Sequence, residues 1–426
     1  MIEAPVSMNA LSLPCRRAAA APATLDTRAF PTSARLALQL LARLRNGSLL
    51  VTFPDGQQAT FGTGHGLHAD ITLHDWRCCD AALRSGDIGF AETFIDGGWT
   101  TSDLASLLDL FVVNRRVIDS FVYGTWWGRL WYRLRHLLNH NSRGGSRRNI
   151  HAHYDLGNAF YSLWLDASMT YSSGLFPEAA RAMPADACDL EAAQQAKYRR
   201  ILEELDLAPG ASLLEVGCGW GGFAEFALRR DLSVTGLTLS TEQLDWAQRR
   251  CVPIAPGRVD LRLQDYRDCY GRFDGIVSIE MFEAVGERYW PAYFDSIRRN
   301  LKPGGRACIQ TIVIDEALFD RYRKGTDFIQ QYIFPGGMLP SPTVFRQQAA
   351  RAGLRVCNEL AFGPDYALTL RAWRMRFLDQ LAAVRAQGFD ESFQRTWLFY
   401  LCYCEAAFRH GNTDVIQFTL EHAQPA

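Results

Sequence analysis

S-L-L-E-V-G-C-G-W-G-G, residues 212–222, is the stretch on which the fold turns. An apolar run enters Gly217, Gly219, Gly221 and Gly222, and a helical stretch over 223–230 follows. Glycines let a backbone turn sharply and approach a ligand where any Cβ would clash. A strand, a glycine loop and a helix in this order predict a nucleotide-like binding turn, with a dinucleotide as the first competitor.

Two features speak against a dinucleotide. The order is E-x-G-x-G-x-G from Glu215, not G-x-G-x-x-G. The next strand ends in Gly236-Leu237-Thr238-Leu239-Ser240, with no carboxylate to hold a ribose. The first pattern is that of S-adenosylmethionine methyltransferases. Their usual plan also has an acid on the second strand, so Thr238 or Ser240 and the Gln243 amide must substitute here. Outward from the loop, helix 190–206 precedes strand 212–216. Further strands are read at 233–238, 259–263, 273–279 and 306–313, with helical stretches between most of them. This alternation predicts an α/β fold with a doubly wound sheet.

The 426 residues suggest two or three domains. Residues 1–30 are rich in Ala, Pro and Ser and read as a flexible N-terminus. Residues 31–112 read as a small α+β unit: helix 33–45, strands 48–53 and 58–61 around the Pro54-Asp55-Gly56 turn, strand 69–73 and helix 75–85. Residues 113–149 form a basic, aromatic linker helix and loop, and 150–426 the main domain. Hydrophobic residues make up 48% and charged residues 21%, a globular balance. A net charge of −1 argues against nucleic acid as partner. Eleven cysteines show no CxxC pair and no zinc spacing, so no metal is expected and a reducing, cytoplasmic compartment fits. No uncharged apolar run is long enough to span a bilayer.

Of 45 Lys+Arg only Lys197, Lys302 and Lys324 are lysines. Genome bias explains most of the arginines. Eight of them, however, lie at 115, 116, 129, 133, 135, 143, 147 and 148, against one acid, Asp119. Tyr123, Trp126, Trp127, Leu130, Trp131, Leu134, Leu137 and Leu138 follow helical spacing on one face. The pattern suits a helix at a membrane interface, or an inter-domain helix packed on the main domain.

The chain resembles cyclopropane-fatty-acyl-phospholipid synthases and the related mycolic-acid methyltransferases. The matching segments are H-Y-D-L-G-N (153–158), M-T-Y-S (169–172), E-V-G-C-G-W-G-G (215–222), G-L-T-L-S-T-E-Q (236–243), L-Q-D-Y-R-D (263–268), M-F-E (281–283), Y-I-F-P-G-G-M-L-P-S (332–341) and D-Y-A-L-T-L (365–370). The N-terminal unit favours the phospholipid branch. The resemblance implies a seven-stranded class I methyltransferase sheet with lipid-binding insertions. It implies methyl transfer from S-adenosylmethionine to the cis double bond of an unsaturated phospholipid acyl chain. It also implies a homodimer acting peripherally on the inner membrane face, and a bicarbonate ion as base. On the cofactor side it points to Tyr171, Ser172, Glu215, Gly217, Gly219, Gly221, Thr238, Leu239, Gln243, Asp265 and Tyr266. On the catalytic side it points to Glu283, Tyr366, Tyr154, Ile312 and Cys404, and to Ser173 and Gln310 at two positions of the bicarbonate shell. The apolar neighbours of Cys404 make a core thiol the competing reading.

Four residues depart from the family pattern. Ser173 stands for Cys, Gln310 for His, Glu280 for Gly and Ala284 for His. Ser173 and Gln310 can still donate to an anion. If Glu280 and Glu283 both face the site, repulsion raises one pKa and creates a protein-borne base. Alternatively, Glu280 pairs with an arginine or points at the cofactor's amino group. The changes also raise a methyl- or methylene-branched product (a furan-fatty-acid precursor) beside a cyclopropane. A small-molecule methyltransferase and a lipid-binding protein without catalysis complete the alternatives.

Overall fold

The computed structural model describes residues 25–122, 156–182 and 189–423. Two sheets organise them. The first has the order β2-β1-β3-β4, with β1 at Ser48–Thr52, β2 at Gln58–Gly62, β3 at His68–Leu73 and β4 at Trp99–Thr100. β1 and β2 form the expected antiparallel hairpin, and β3 lies parallel to β1. Leu49 and Val51 are buried while Leu50 is exposed, the period-two pattern of a strand covered on one face.

The second sheet runs β10-β11-β9-β8-β5-β6-β7. Its strands are β5 Ser212–Val216, β6 Ser233–Thr238, β7 Val259–Leu263, β8 Phe273–Ile279, β9 Leu301–Ile314, β10 Leu354–Ala361 and β11 Thr413–His422. β7, β6, β5, β8 and β9 are parallel, and β11 is antiparallel to both β9 and β10. Strand order reverses at β5, which pairs with β6 on one side and β8 on the other. A ligand site is expected beyond the carboxyl end of such a strand. Leu213 to Val216 are all buried, as a central strand covered on both faces requires.

The α/β expectation is met. β5 to β8 fall on the expected residues, and helix Leu190–Leu205 on its expected span. β9 starts at Leu301, five residues ahead of the expected 306. Lys302-Pro303-Gly304-Gly305 reads as a turn by composition, yet Leu301 pairs with Phe273 before the register shifts past it.

The small unit and the main fold share one core. Helix Leu104–Val113 packs on helix Glu391–Arg409. The Phe94 and Phe399 rings lie 6.0 Å apart and Phe90 and Phe399 6.4 Å apart. Asp109, the charge that interrupts the apolar run of its helix, is buried here; Arg409 donates to it, and His410 Nε2 lies 3.0 Å from its Oδ1. Among the described residues no helix is long and apolar enough to cross a membrane. The Trp-rich stretch at 123–148 and Tyr154 lie outside the described residues.

Candidate active site

β5 delivers the chain into a cleft lined by the glycine loop, by 169–172, by the ends of β6 and β8, and by Gln264 and Tyr266. Gly217 has φ +88, and a Cβ there would sit 2.8 Å from the Met281 side chain. Gly219 has φ +50, and a Cβ there would meet nothing within 4 Å. It would project into the space the loop encloses. Gly221 is different: its Cβ would press on Ala247 and Cys251 at 3.0 Å, so it packs helix against helix.

The missing second-strand acid is replaced by a paired hydroxyl and amide. Thr238 Oγ1 donates to Gln243 Oε1 at 3.0 Å, and both residues line the cleft. Ser240 instead caps helix Thr241–Cys251, accepting from the Gln243 amide. Glu215 is buried, with Oε2 lacking a partner among the described residues. That orphaned acceptor, the open space at Gly219 and the Thr238–Gln243 pair fit the amino, methionine and ribose parts of S-adenosylmethionine. Of the expected cofactor residues, Tyr171, Ser172, Glu215, Gly217, Gly219, Thr238, Leu239, Gln243 and Tyr266 line the cleft. Gly221 and Asp265 do not. Asp265 holds Arg267 at 2.6 Å and caps the turn that follows, which leaves Gln264 to face the cleft.

Two carboxylates meet at this end of the cleft, Glu280 in its lining and Glu283 outside it. Glu280 takes a backbone φ of +50, which costs a side-chain-bearing residue about 1–2 kcal/mol. Its Oε1 accepts from the Ser173 amide at 2.9 Å and from Gln310 Nε2 at 2.7 Å. Its Oε2 accepts from the Tyr366 hydroxyl at 2.5 Å. No arginine contacts it among the described residues, which removes that alternative. Glu283 Oε1 accepts from the Ile312 amide and from Thr311 Oγ1, while Oε2 has no partner among the described residues. Burial and then the neighbouring Glu280 charge push Glu283 up to about 8. Burial raises Glu280 too, against the pull of Lys197 and the three donors.

Lys197 escaped the sequence reading. It is fully buried on helix Leu190–Leu205 and donates to Ser172 Oγ at 2.6 Å and Gln194 Oε1 at 2.5 Å. Burial lowers it to about 7 against the pull of Glu280, Asp166 and Glu215. Its signal was compositional: a lysine kept where nearly every other cation is arginine, and only lysine shifts its pKa readily on burial. Asp365 fixes the facing loop, accepting from the Phe176 amide at 2.9 Å and from Arg181 at 3.1 Å.

The structure thus brings Ser173, Gln310, Tyr366, Glu283 and Ile312 together. Cys404 stands apart from the cleft lining, on helix Glu391–Arg409, with its thiol driven well above the usual range by burial. Tyr171 joins the cleft to an aromatic wall. Its ring lies 5.5 Å from Trp164, 5.5 Å from Tyr161 and 5.3 Å from Trp373.

The family described as mycolic acid cyclopropane synthetase matches residues 141–418. The chain belongs to that family. It is a class I S-adenosylmethionine-dependent methyltransferase. A tuberculostearic acid methyltransferase of Mycobacterium tuberculosis is 38% identical over 80% of each chain. A cyclopropane-fatty-acyl-phospholipid synthase of Escherichia coli is 37% identical over 80% of this chain and 85% of its own. Among solved structures, a mycolic acid cyclopropane synthase complexed with S-adenosylhomocysteine and the detergent CTAB is 33% identical, with a TM-score of 0.58 over 64% of this chain and 97% of its own.

The bicarbonate that the family resemblance implies does not fit the residues present. The Ser173 amide, Gln310 and Tyr366 already end on Glu280, and the Ile312 amide on Glu283. The Ser173 hydroxyl turns away, to the Gly174 carbonyl at 2.9 Å.

Proposed function

We propose that the protein adds a one-carbon unit to the cis double bond of unsaturated phospholipid acyl chains and closes it to a cyclopropane. The observation that carries this reading is the juxtaposition of a cofactor cleft, a buried carboxylate pair and an aromatic wall. Bound in the cleft, S-adenosylmethionine supplies an electrophilic methyl on its sulfonium. An isolated olefin attacks it weakly, and the cation left on the chain needs a dry site and an electron-rich lining. Tyr171 offers an aromatic ring in that lining, backed by the buried Trp164 and Trp373. Glu283 fixes the Ile312 amide, and Tyr366 and Gln310 fix Glu280. The two relatives that match over 80% of this chain extend beyond the 64% matched by the mycolic acid cyclopropane synthase, which supports an acyl-chain substrate for the larger form.

The unit at 31–112 then sets the catalytic domain against a membrane, through the basic linker at 113–149 and as a homodimer on the inner face. Reversal of Arg129, Arg133 and Arg135 to Glu should abolish sedimentation with anionic liposomes and leave S-adenosylhomocysteine affinity unchanged. Incubation with labelled S-adenosylmethionine and liposomes tests the substrate: label enters unsaturated but not saturated phospholipid. Label entering a soluble metabolite without liposomes would support the small-molecule reading instead. A second product has one observation in its favour, the carboxylate of Glu280 in place of a glycine. A methylene-branched chain is an isomer of the cyclopropane, so NMR of the purified lipid distinguishes them.

A further inference from the structure

We infer that Glu280 is the proton acceptor of the reaction, a base built into the chain that makes a bound bicarbonate unnecessary. The inference rests on the lipid-methylating reading above and assigns the group that finishes it.

The direction of the Gln310 bond to Glu280 is forced. Arg200 can only donate, and it donates to Gln417 Oε1. The Gln417 amide nitrogen must then face Gln310, and it donates to Gln310 Oε1 at 3.0 Å. That leaves the Gln310 nitrogen to donate to Glu280. The Ser173 amide and the Tyr366 phenol donate as well. Two obligate donors and a phenol able to donate meet this side chain, an arrangement that suits its ionised form. Glu283, without such a shell on Oε2, keeps the proton that like-charge repulsion forbids both from losing. Glu280 lines the cofactor cleft together with Ile279, Met281 and Gly217, on the wall of the space where the cofactor's methyl would be delivered in this reading. Its left-handed backbone marks a conformational cost retained at a site of chemistry.

The step balances. The methyl–sulfur bond breaks, a carbon–carbon bond forms at one olefinic carbon, and the other carbon is left cationic. One C–H bond of the transferred methyl then breaks. Its electron pair closes the ring, and its proton goes to Glu280, which becomes a carboxylic acid. After a hydride shift the same loss gives a methylene branch on the open chain. Neither route consumes an oxidant or a reductant.

Three arms test the assignment. In bicarbonate-free buffer the wild type should keep its full rate; a rate that falls on depletion and returns on addition overturns the proposal. Glu280→Gln should lose at least ~100-fold in kcat, the usual size of a general-base contribution, while binding S-adenosylhomocysteine within about 3-fold. Wild-type turnover by that variant also overturns it. The third arm needs no lipid. Labelled bicarbonate should show no bound carbon-13 signal with the wild type, and a bound signal with Glu280→Gly, whose vacated donors suit an anion. A bound signal in the wild type sinks the proposal. If no liposome is methylated at all, the functional reading fails while this binding arm still decides whether Glu280 fills the anion site.

Discussion

Two glycines of the same loop should fail in opposite ways. Gly219→Ala places a methyl in the open cleft, so S-adenosylhomocysteine affinity should fall by ~10-fold or more, with the backbone conformation costing about 1 kcal/mol. Gly221→Ala meets Ala247 and Cys251 at 3.0 Å, so its damage should appear as a lowered Tm. Calorimetric titration beside thermal melting separates the two. The carboxylates make a further prediction with a definite sign. Glu283 is raised from 4.5 to about 8, so the unfolded chain releases this proton first as pH rises. The raised pKa therefore contributes stability at low pH that is lost between about 4.5 and 8. Glu283→Gln should melt close to the wild type at pH 5 and above it at pH 8. The spacing of Glu280 and Glu283 was legible in the sequence because only Met281 and Phe282 separate them. Their direct partners Ser173, Gln310, Ile312 and Tyr366 were named through the family resemblance; Gln417 and Arg200 were not, since Gln417 meets Gln310 only through the pairing of β11 with β9 and Arg200 reaches Gln417 from helix Leu190–Leu205.

At the scale of elements, regular strands were readable and latches were not. β5 and β8 announce themselves by apolar runs between turns and β7 by the alternation of Val259, Leu261 and Leu263 with charged residues, but β10 carries Arg355, Asn358 and Glu359 exposed and gives no such pattern. The loop 173–181 has no periodicity at all, yet it supplies the Ser173 amide. Asp365 accepts from Phe176 and Arg181, and Thr369 Oγ1 accepts from the Gly174 amide at 3.0 Å, so one helix turn holds both the loop and Tyr366. Asp365→Ala leaves a buried amide unpaired, which costs about 1–3 kcal/mol. It should also lower kcat more than it raises KM, because it displaces donors to Glu280 and leaves the glycine loop intact. Urea denaturation and steady-state kinetics check both; a change confined to stability would show that the latch does not position the base.

At the scale of the whole molecule, the division between a small unit and a catalytic domain, read from composition near residue 112, does not coincide with a division in packing. Asp109 sits on the small unit's helix, and Arg409 and His410 reach it from the far end of helix Glu391–Arg409. The same helix carries Tyr400, whose hydroxyl meets that of Tyr171 at 2.6 Å in the cleft wall. A single rigid element therefore joins the inter-unit contact to the reaction site. Arg409 is 36% exposed, so solvent screens its pairing with the buried Asp109, and removing it costs about 1–3 kcal/mol as a donor lost to a buried acceptor. Arg409→Met should thus split a single calorimetric transition into two, the small unit releasing first. Turnover on liposomes should fall with that first transition while S-adenosylhomocysteine binding survives to the second, since none of the cleft-lining residues belongs to the small unit. One transition at reduced Tm would instead mean that the shared aromatic core, with Phe94 against Phe399, holds the two parts together without the Arg409–Asp109 contact.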